Sequence, residues 1–365
     1  MCPLLAVISD FTREVDRRPK GSGRIGDNPM PSDIEQNGAG LLESWNERLA
    51  RSPLFGIAEK FSRPGVFLGI VVAGAALLID HSYRNEEKKR QAWNVLGAVA
   101  LKGESNFPMN PMEVVQAFEF LVREGENLGR VDLGRIRLSG LILPPETNLR
   151  NVRMDGGRND DKGDYAELLN STLRHVDFSN ANLYRIHFSG KVTDLTGAMF
   201  KGAKMGSAVF TEASIDGADF CDAQLQNADF SHAKGINSVF SHAALEGAIF
   251  YEAVLPNAQF DTANLTKANL FLAHLPNANF NSADLTDAVF SDAILTNATF
   301  RDAHLNGAVL DGADLKRVEL EGAWVDAPDW LDRNGVDTGL WEIRATRDDN
   351  GNDGFRLHRR PQDPE

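Results

Sequence analysis

Histidine, carboxylate, cysteine and glycine are the residue types here that could carry chemistry, and spacing decides whether they do. A metal centre needs imidazoles converging in one coordination shell; the candidates are His232, His242, His274 and His304. A hydrolase of the paired-carboxylate kind needs two acids across one cleft; the candidates are Asp219, Asp229, Asp284 and Asp314. The cysteines, Cys2 and Cys221, lie far apart and make neither a disulfide framework nor a zinc spacing. A phosphate-cradling loop needs its glycines after a strand, with Lys-Ser/Thr behind them. Gly23 and the glycines of 37–40 meet neither condition. Whether the histidines and aspartates converge depends on the elements that hold them.

Those elements follow a five-residue period. From Leu195 to Val325 there are 27 positions at steps of five, and only Gly235 lacks a large apolar side chain. The residue two before each is Ala in 24 cases, the exceptions being Thr193, Ser238 and Val318. Such a period fits neither a helix nor an ordinary strand and marks a stacked repeat. In extended backbone, residues two apart share a side. Ala and the central residue therefore face inward, the residue between faces water, and the next two turn a corner. Gly202, Gly217, Asn227, Gly247, Asn257, Asp287 and Asn297 suit that corner. Phe recurs at 200, 210, 220, 230, 240, 250, 260, 280, 290 and 300. Four pentads per turn would place Phe on two opposite faces and Leu, Ile or Met on the other two.

The motif repeats as Ala218-Asp219-Phe220, Ala228-Asp229-Phe230, Ala263-Asn264-Leu265, Ala278-Asn279-Phe280, Ala283-Asp284-Leu285 and Ala313-Asp314-Leu315. It resembles the pentapeptide-repeat family over roughly half the chain. The resemblance implies an all-β solenoid, a right-handed quadrilateral β-helix of four pentads per coil. Out-of-phase blocks precede the main run: Val131 to Leu143, then Leu149 and Met154, then Leu168, Leu173, Phe178, Leu183 and Phe188. The jumps fall at Pro144-Pro145, in the polar run 156–164, and near Gly190-Lys191. About nine coils would make a rod roughly 44 Å long.

On such a rod the chemistry disperses. His232 and His242 lie half a coil apart, on opposite sides, and the four aspartates occupy outward slots on different faces and coils. A convex rod offers no cleft. The sequence predicts no enzyme, no metal and no cofactor. Cys221 reads as a plain small corner residue.

The flanking segments give the rest of the organisation. Residues 1–60 read as mostly disordered, and their first stretch lacks the basic leader of a signal peptide. Residues 65–79 are uncharged. With their neighbours they predict a transmembrane helix over 61–83, whose flanking Arg63, Arg84, Lys88, Lys89 and Arg90 can snorkel. Gly65, Gly69 and Ala73 fall at the spacing of helix pairs in membranes. Residues 84–127 predict two helices, the second starting at Asn110-Pro111-Met112-Glu113, burying Val114, Phe118, Leu121 and Val122, and stopping near Gly125. They would cap the β-helix of 128–325, whose ends otherwise expose apolar side chains and strand edges. In 326–365, residues 330–341 would cover the last coil, and the charged tail from Ala345 would be disordered.

Net charge is −14. Between Leu195 and Val325 there are 16 acids against 7 bases, or −9. This disfavours nucleic-acid binding. Three functions fit. One is a scaffold anchored in the inner (cytoplasmic) membrane that binds a protein partner or a second copy of the chain; the excess of Arg and Lys after the helix places the rod in the cytoplasm. A second follows from the resemblance: the quinolone-resistance group of the family is similar to duplex DNA in size and acidity and binds DNA gyrase. The third is a spacer without a specific partner. The interaction face would carry Val209, Ile249, Tyr251, Phe271, Leu272, Val289 and Val309, which recur at multiples of twenty and so form one strip. Three expectations test the phase: Phe250 is enclosed between Phe230 and Leu270, Gly235 leaves a gap that Leu could fill if the backbone there has negative φ, and Asp292→Ala costs at most about 0.5 kcal/mol.

Overall fold

The computed structural model describes residues 80–98, 111–126, 128, 133, 138–155, 166–337, 339–347 and 353–361. The chain divides into two compact units, Met1–Glu86 and Glu87–Glu365. Of the first, residues 80–86 are described, and they are helical. The segment 65–79, with Gly65, Gly69 and Ala73, lies outside the described residues. Among the described residues no helix is long and apolar enough to cross a membrane.

The second unit opens with helical residues 87–98 (α1) and Pro111–Arg123 (α2). Proline in the first turn, Glu113 near the positive end of the helix and Arg123 near the other favour α2 locally. Gly125, at φ 70°, ends it. Leu96 of α1 and Val114, Phe118 and Leu121 of α2 are buried in one core with Leu133, Leu138 and Leu141 of the following chain. The amide of Ile142 donates to the Glu119 carboxylate at 3.1 Å, so α2 meets a backbone donor of an early coil.

Over the described residues from 138 to Val325 the backbone is a coil with four parallel ladders. Asp194 pairs with Ser214, Met199 with Asp219, Lys204 with Gln224 and Val209 with Asp229, and each ladder continues at steps of twenty. The hydrogen bonding shows why five residues suffice. Phe200 N–H donates to the Asp219 carbonyl of the next coil (2.6 Å), and Asp219 N–H donates back to Ala198 (2.9 Å). At the corner, Gly202 N–H reaches Cys221 of the next coil (3.0 Å), while Ala203 N–H closes the turn on Phe200 (2.9 Å). The register confirms two of the three jumps, and the third, in 156–164, lies outside the described residues. Steps are 30 at Ile142↔Thr172 and 29 at Asn148↔Asp177, so one extra residue sits at Pro144-Pro145. They are 22 from Thr172↔Asp194 to His187↔Val209 and 20 from Asp194↔Ser214 onward, so two extra residues lie after Phe188.

Inside, Phe rings stack along two columns and meet edge to face between them. Phe220 stacks on Phe240 at 4.8 Å and stands at 87° to Phe230, 5.6 Å away. Phe250 is fully buried and stacks on Phe230 at 5.0 Å.

Two phase-dependent expectations need correction. Gly235 leaves no gap. A Cβ there would lie 2.5 Å from Ile215 Cγ1 and 3.0 Å from Leu255 Cδ2, because the side chains of the coils above and below close over the glycine. Asp292, though exposed, is not a neutral position. The second corner residue of each pentad is left-handed, and Asp292 has φ 56°. An L-residue other than Asn, Asp or Gly is strained in that basin. Asp292→Ala should therefore cost about 1 kcal/mol, and Asp292→Asn less than about 0.5 kcal/mol. Denaturant titration of the two variants checks this, and equal costs would remove the argument.

The C-terminal tail is also not disordered where it is described. β1 (Trp324–Val325), α3 (Trp330–Arg333), β2 (Trp341–Arg347) and β3 (Asp353–Arg359) follow the coil, and the sheet order is β1-β3-β2, all antiparallel. The last coil leaves backbone groups unpaired, and β3 takes those of one face: Gly322 N–H donates to Leu357 (2.8 Å) and Leu357 N–H to Ala323 (2.9 Å). Leu357, Trp330 and Trp341 are buried over that end. Buried Asn334 accepts the Leu310 N–H at 2.8 Å and donates to the Trp330 carbonyl at 3.0 Å. The Glu321 carboxylate accepts the Arg359 N–H at 2.8 Å and lies 3.0 Å from His358 Nδ1, and both hold its pKa below the usual range.

Candidate functional site

The candidate chemistry resolves into structural roles. His232 lies 3.3 Å from the Glu252 carboxylate and His242 Nδ1 2.6 Å from the Thr262 hydroxyl, each a contact between neighbouring coils. Among the described residues no His, Cys, Asp and Glu side chains group to hold a metal ion. Burial, then Asp222, pushes the Cys221 thiol pKa up, away from the thiolate form of a nucleophile.

The outward aspartates have a local task that the sequence reading missed. Asp219, Asp229, Asp284 and Asp314 each accept the backbone N–H two residues on, from Cys221, Ser231, Thr286 and Lys316, at 2.8–3.2 Å. Asn264, Asn269 and Asn279 do the same. This is an Asx turn at the entry to the corner. The signal was present in the recurring Asp or Asn two residues before a turn. At one corner, Asn257, Asn277 and Asn297 each donate an amide hydrogen to the asparagine one coil before, at 3.0–3.1 Å, a ladder starting from Asn237.

The apolar residues of one outward ladder and its following corner form the candidate site. Val209, Asp229, Ile249, Asn269, Val289 and Val309 stand in one ladder, as their spacing implied. Ile249 and Val309 are exposed, Val209 and Val289 half-buried, and Asp229 and Asn269 interrupt the apolar strip. At the following corner, His232 meets Tyr251 edge to face at 5.4 Å, and Tyr251 stacks on Phe271 at 6.0 Å. Hydrogen bonding to Glu252 pushes the Tyr251 phenol pKa up. Leu272, beside Phe271, is 40% exposed. A second face also carries apolar residues, with Ile294 in one ladder with Val254 and Ile236 at the corner that follows it, but among the described residues it has no aromatic ring column. The structure thus brings the seven strip residues to one face and its edge.

Comparison with known proteins follows the same segment. The family described as pentapeptide repeats matches in eight copies, over 193–226, 205–234, 213–250, 263–302 and 293–326. No curated protein matches the chain. Among solved structures, it is similar to HetL, a pentapeptide repeat protein involved in heterocyst differentiation regulation in the cyanobacterium Nostoc sp. strain PCC 7120. The identity is 24%, covering 59% of this chain and 96% of that one, with a TM-score of 0.35. QnrB1, a plasmid-mediated fluoroquinolone resistance protein, is 21% identical over 54% of this chain and 97% of that one, with a TM-score of 0.21. Rfr23 from the cyanobacterium Cyanothece 51142 is 18% identical over 52% and 84%, with a TM-score of 0.09. Repeat motif, twenty-residue register and family match agree over the same coils: residues 193–250 and 263–326 carry pentapeptide repeats.

Proposed function

We propose that this chain is a non-enzymatic scaffold whose coil presents one face to a protein partner. One observation carries the reading: His232, Tyr251 and Phe271 form a ring column on the outside of a fold whose core is already filled. Aromatic residues bury large area at low entropic cost and are enriched at interface centres. The face comprises Val209, Ile249, Tyr251, Phe271, Leu272, Val289 and Val309. The joint variant Tyr251→Ser/Phe271→Ser should keep the circular dichroism and melting profile of the parent and weaken association by about 2 kcal/mol or more. Light scattering and pull-down read the outcome. An unchanged partner profile and size would leave the spacer reading in its place. Gyrase binding rests on acidity and rod shape, and a supercoiling assay with the purified chain tests it.

The reading includes a single-pass anchor over 61–83 in the inner membrane, with Gly65, Gly69 and Ala73 as a pairing stripe and the coil on the cytoplasmic side. Its support is the uncharged run of 65–79. The full chain should resist carbonate extraction and need detergent; purification as a soluble monomer would remove the anchor. α1 and α2 serve as the N-terminal cap in this scheme, supported by their shared core with Leu138 and Leu141 and by the Glu119 bond to Ile142.

A further inference from the structure

We propose that the occupant of this face is a basic segment of another protein, with apolar side chains between its cations, and not a second copy of this chain. The inference rests on the scaffold reading and specifies its partner. Two observations carry it.

The first is charge. The corner that carries Tyr251, Phe271 and Leu272 continues one coil at a time through hydrogen bonds from Glu252 to Phe271, Leu272 to Ser291 and Asp292 to Asp311. Glu252, Asp292 and Asp311 therefore stand in line with the apolar group. The corner on the strip's other side carries Glu246 and Asp287 against the lone Lys267. In a two-fold dimer the same patch faces itself. Acid would then meet acid, in a chain of net charge −14. Cations flanking apolar anchors match the face instead.

The second is Leu272. Its φ is 58°, and it is the only aliphatic residue among the described non-glycine positions of positive φ. A leucine is strained in that basin, and at 40% exposure it recovers little burial in return. Asparagine, which fills the same corner slot at Asn257 and Asn277, would serve the fold better. Polar residues such as Glu252, Thr262 and Lys267 also take this basin, so what sets Leu272 apart is an apolar side chain left exposed there, and burial against a partner would account for it.

The test uses the full chain and three synthetic peptides of equal length, alternating Arg/Leu, Arg/Ser and Glu/Leu. The Arg/Leu peptide should bind saturably at one to one and weaken with salt; the other two should bind at least about tenfold more weakly. Leu272→Asn should raise the melting temperature yet weaken the Arg/Leu peptide about tenfold. Glu252→Gln with Asp292→Asn should weaken it similarly and flatten the salt dependence. Equal binding of Arg/Ser, indifference to Leu272→Asn, or a dimer in light scattering that Leu272→Asn dissociates would each overturn the proposal. If Arg/Leu fails to bind while Tyr251→Ser/Phe271→Ser still releases the native partner, the occupant's chemistry is wrong and the scaffold reading stands.

Discussion

Phe250→Ala is expected to destabilise the coil by about 3–5 kcal/mol, the range of a buried aromatic truncated in a core that cannot collapse. Its ring stacks on Phe230 at 5.0 Å and meets Phe240 and Phe260 edge to face at 5.7 and 5.6 Å. Leu270 is buried in the next coil of the same column. The backbone around the void is held by coil-to-coil bonds, including Phe250 N–H to Asn269 at 2.7 Å, so the walls cannot close in. In a solenoid each coil touches only its neighbours, so a weak coil in the middle divides the stack. Denaturant unfolding should show a lower midpoint and, at the extreme, two transitions. A midpoint shift no larger than that of Asp292→Ala would refute the assignment of inward and outward positions.

Gly235→Leu is expected to cost about 3 kcal/mol, the upper end of overpacking. A leucine adds its whole side chain where even a Cβ falls 2.5 Å from Ile215. The neighbour test is a double-mutant cycle with Ile215→Ala. Each change alone destabilises, one by crowding and one by a cavity. Together they should cost less than their sum by at least about 1 kcal/mol, since the space freed at 215 receives the leucine. Strict additivity would mean that the two side chains do not share a space.

These two sites mark what the sequence could and could not reveal. The inward Ala and the central Phe or Leu were legible because period five, folded at twenty, leaves one consistent packing. The single-residue shift at Pro144-Pro145 and the two-residue shift after Phe188 were legible for the same reason. Gly235 was misread because an absent side chain in one coil says nothing about how Ile215 and Leu255 relax in the next. Asp292 was misread because exposure is visible in a pattern and a backbone angle is not. The outward aspartates are legible in the pattern only as acids too dispersed for a paired-carboxylate site, although their carboxylates serve the turn. β3 escaped because the tail's composition is charged; its order comes from the template of unpaired groups at Gly322 and Ala323. The candidate face was legible as a column from spacing alone, whereas the misfit of Leu272 to its backbone appears only in three dimensions.

The opposite polarity of β3 has a consequence for the chain as a material. Every coil offers the next a parallel edge identical to the one it received, so the ladder is a living polymer end, able in principle to add coils from another molecule. An antiparallel strand seated on Ala323 and Trp324 presents a different edge, and the growth rule ceases to apply. β3 thus withdraws this edge from the parallel series, as a terminator does at a polymer end.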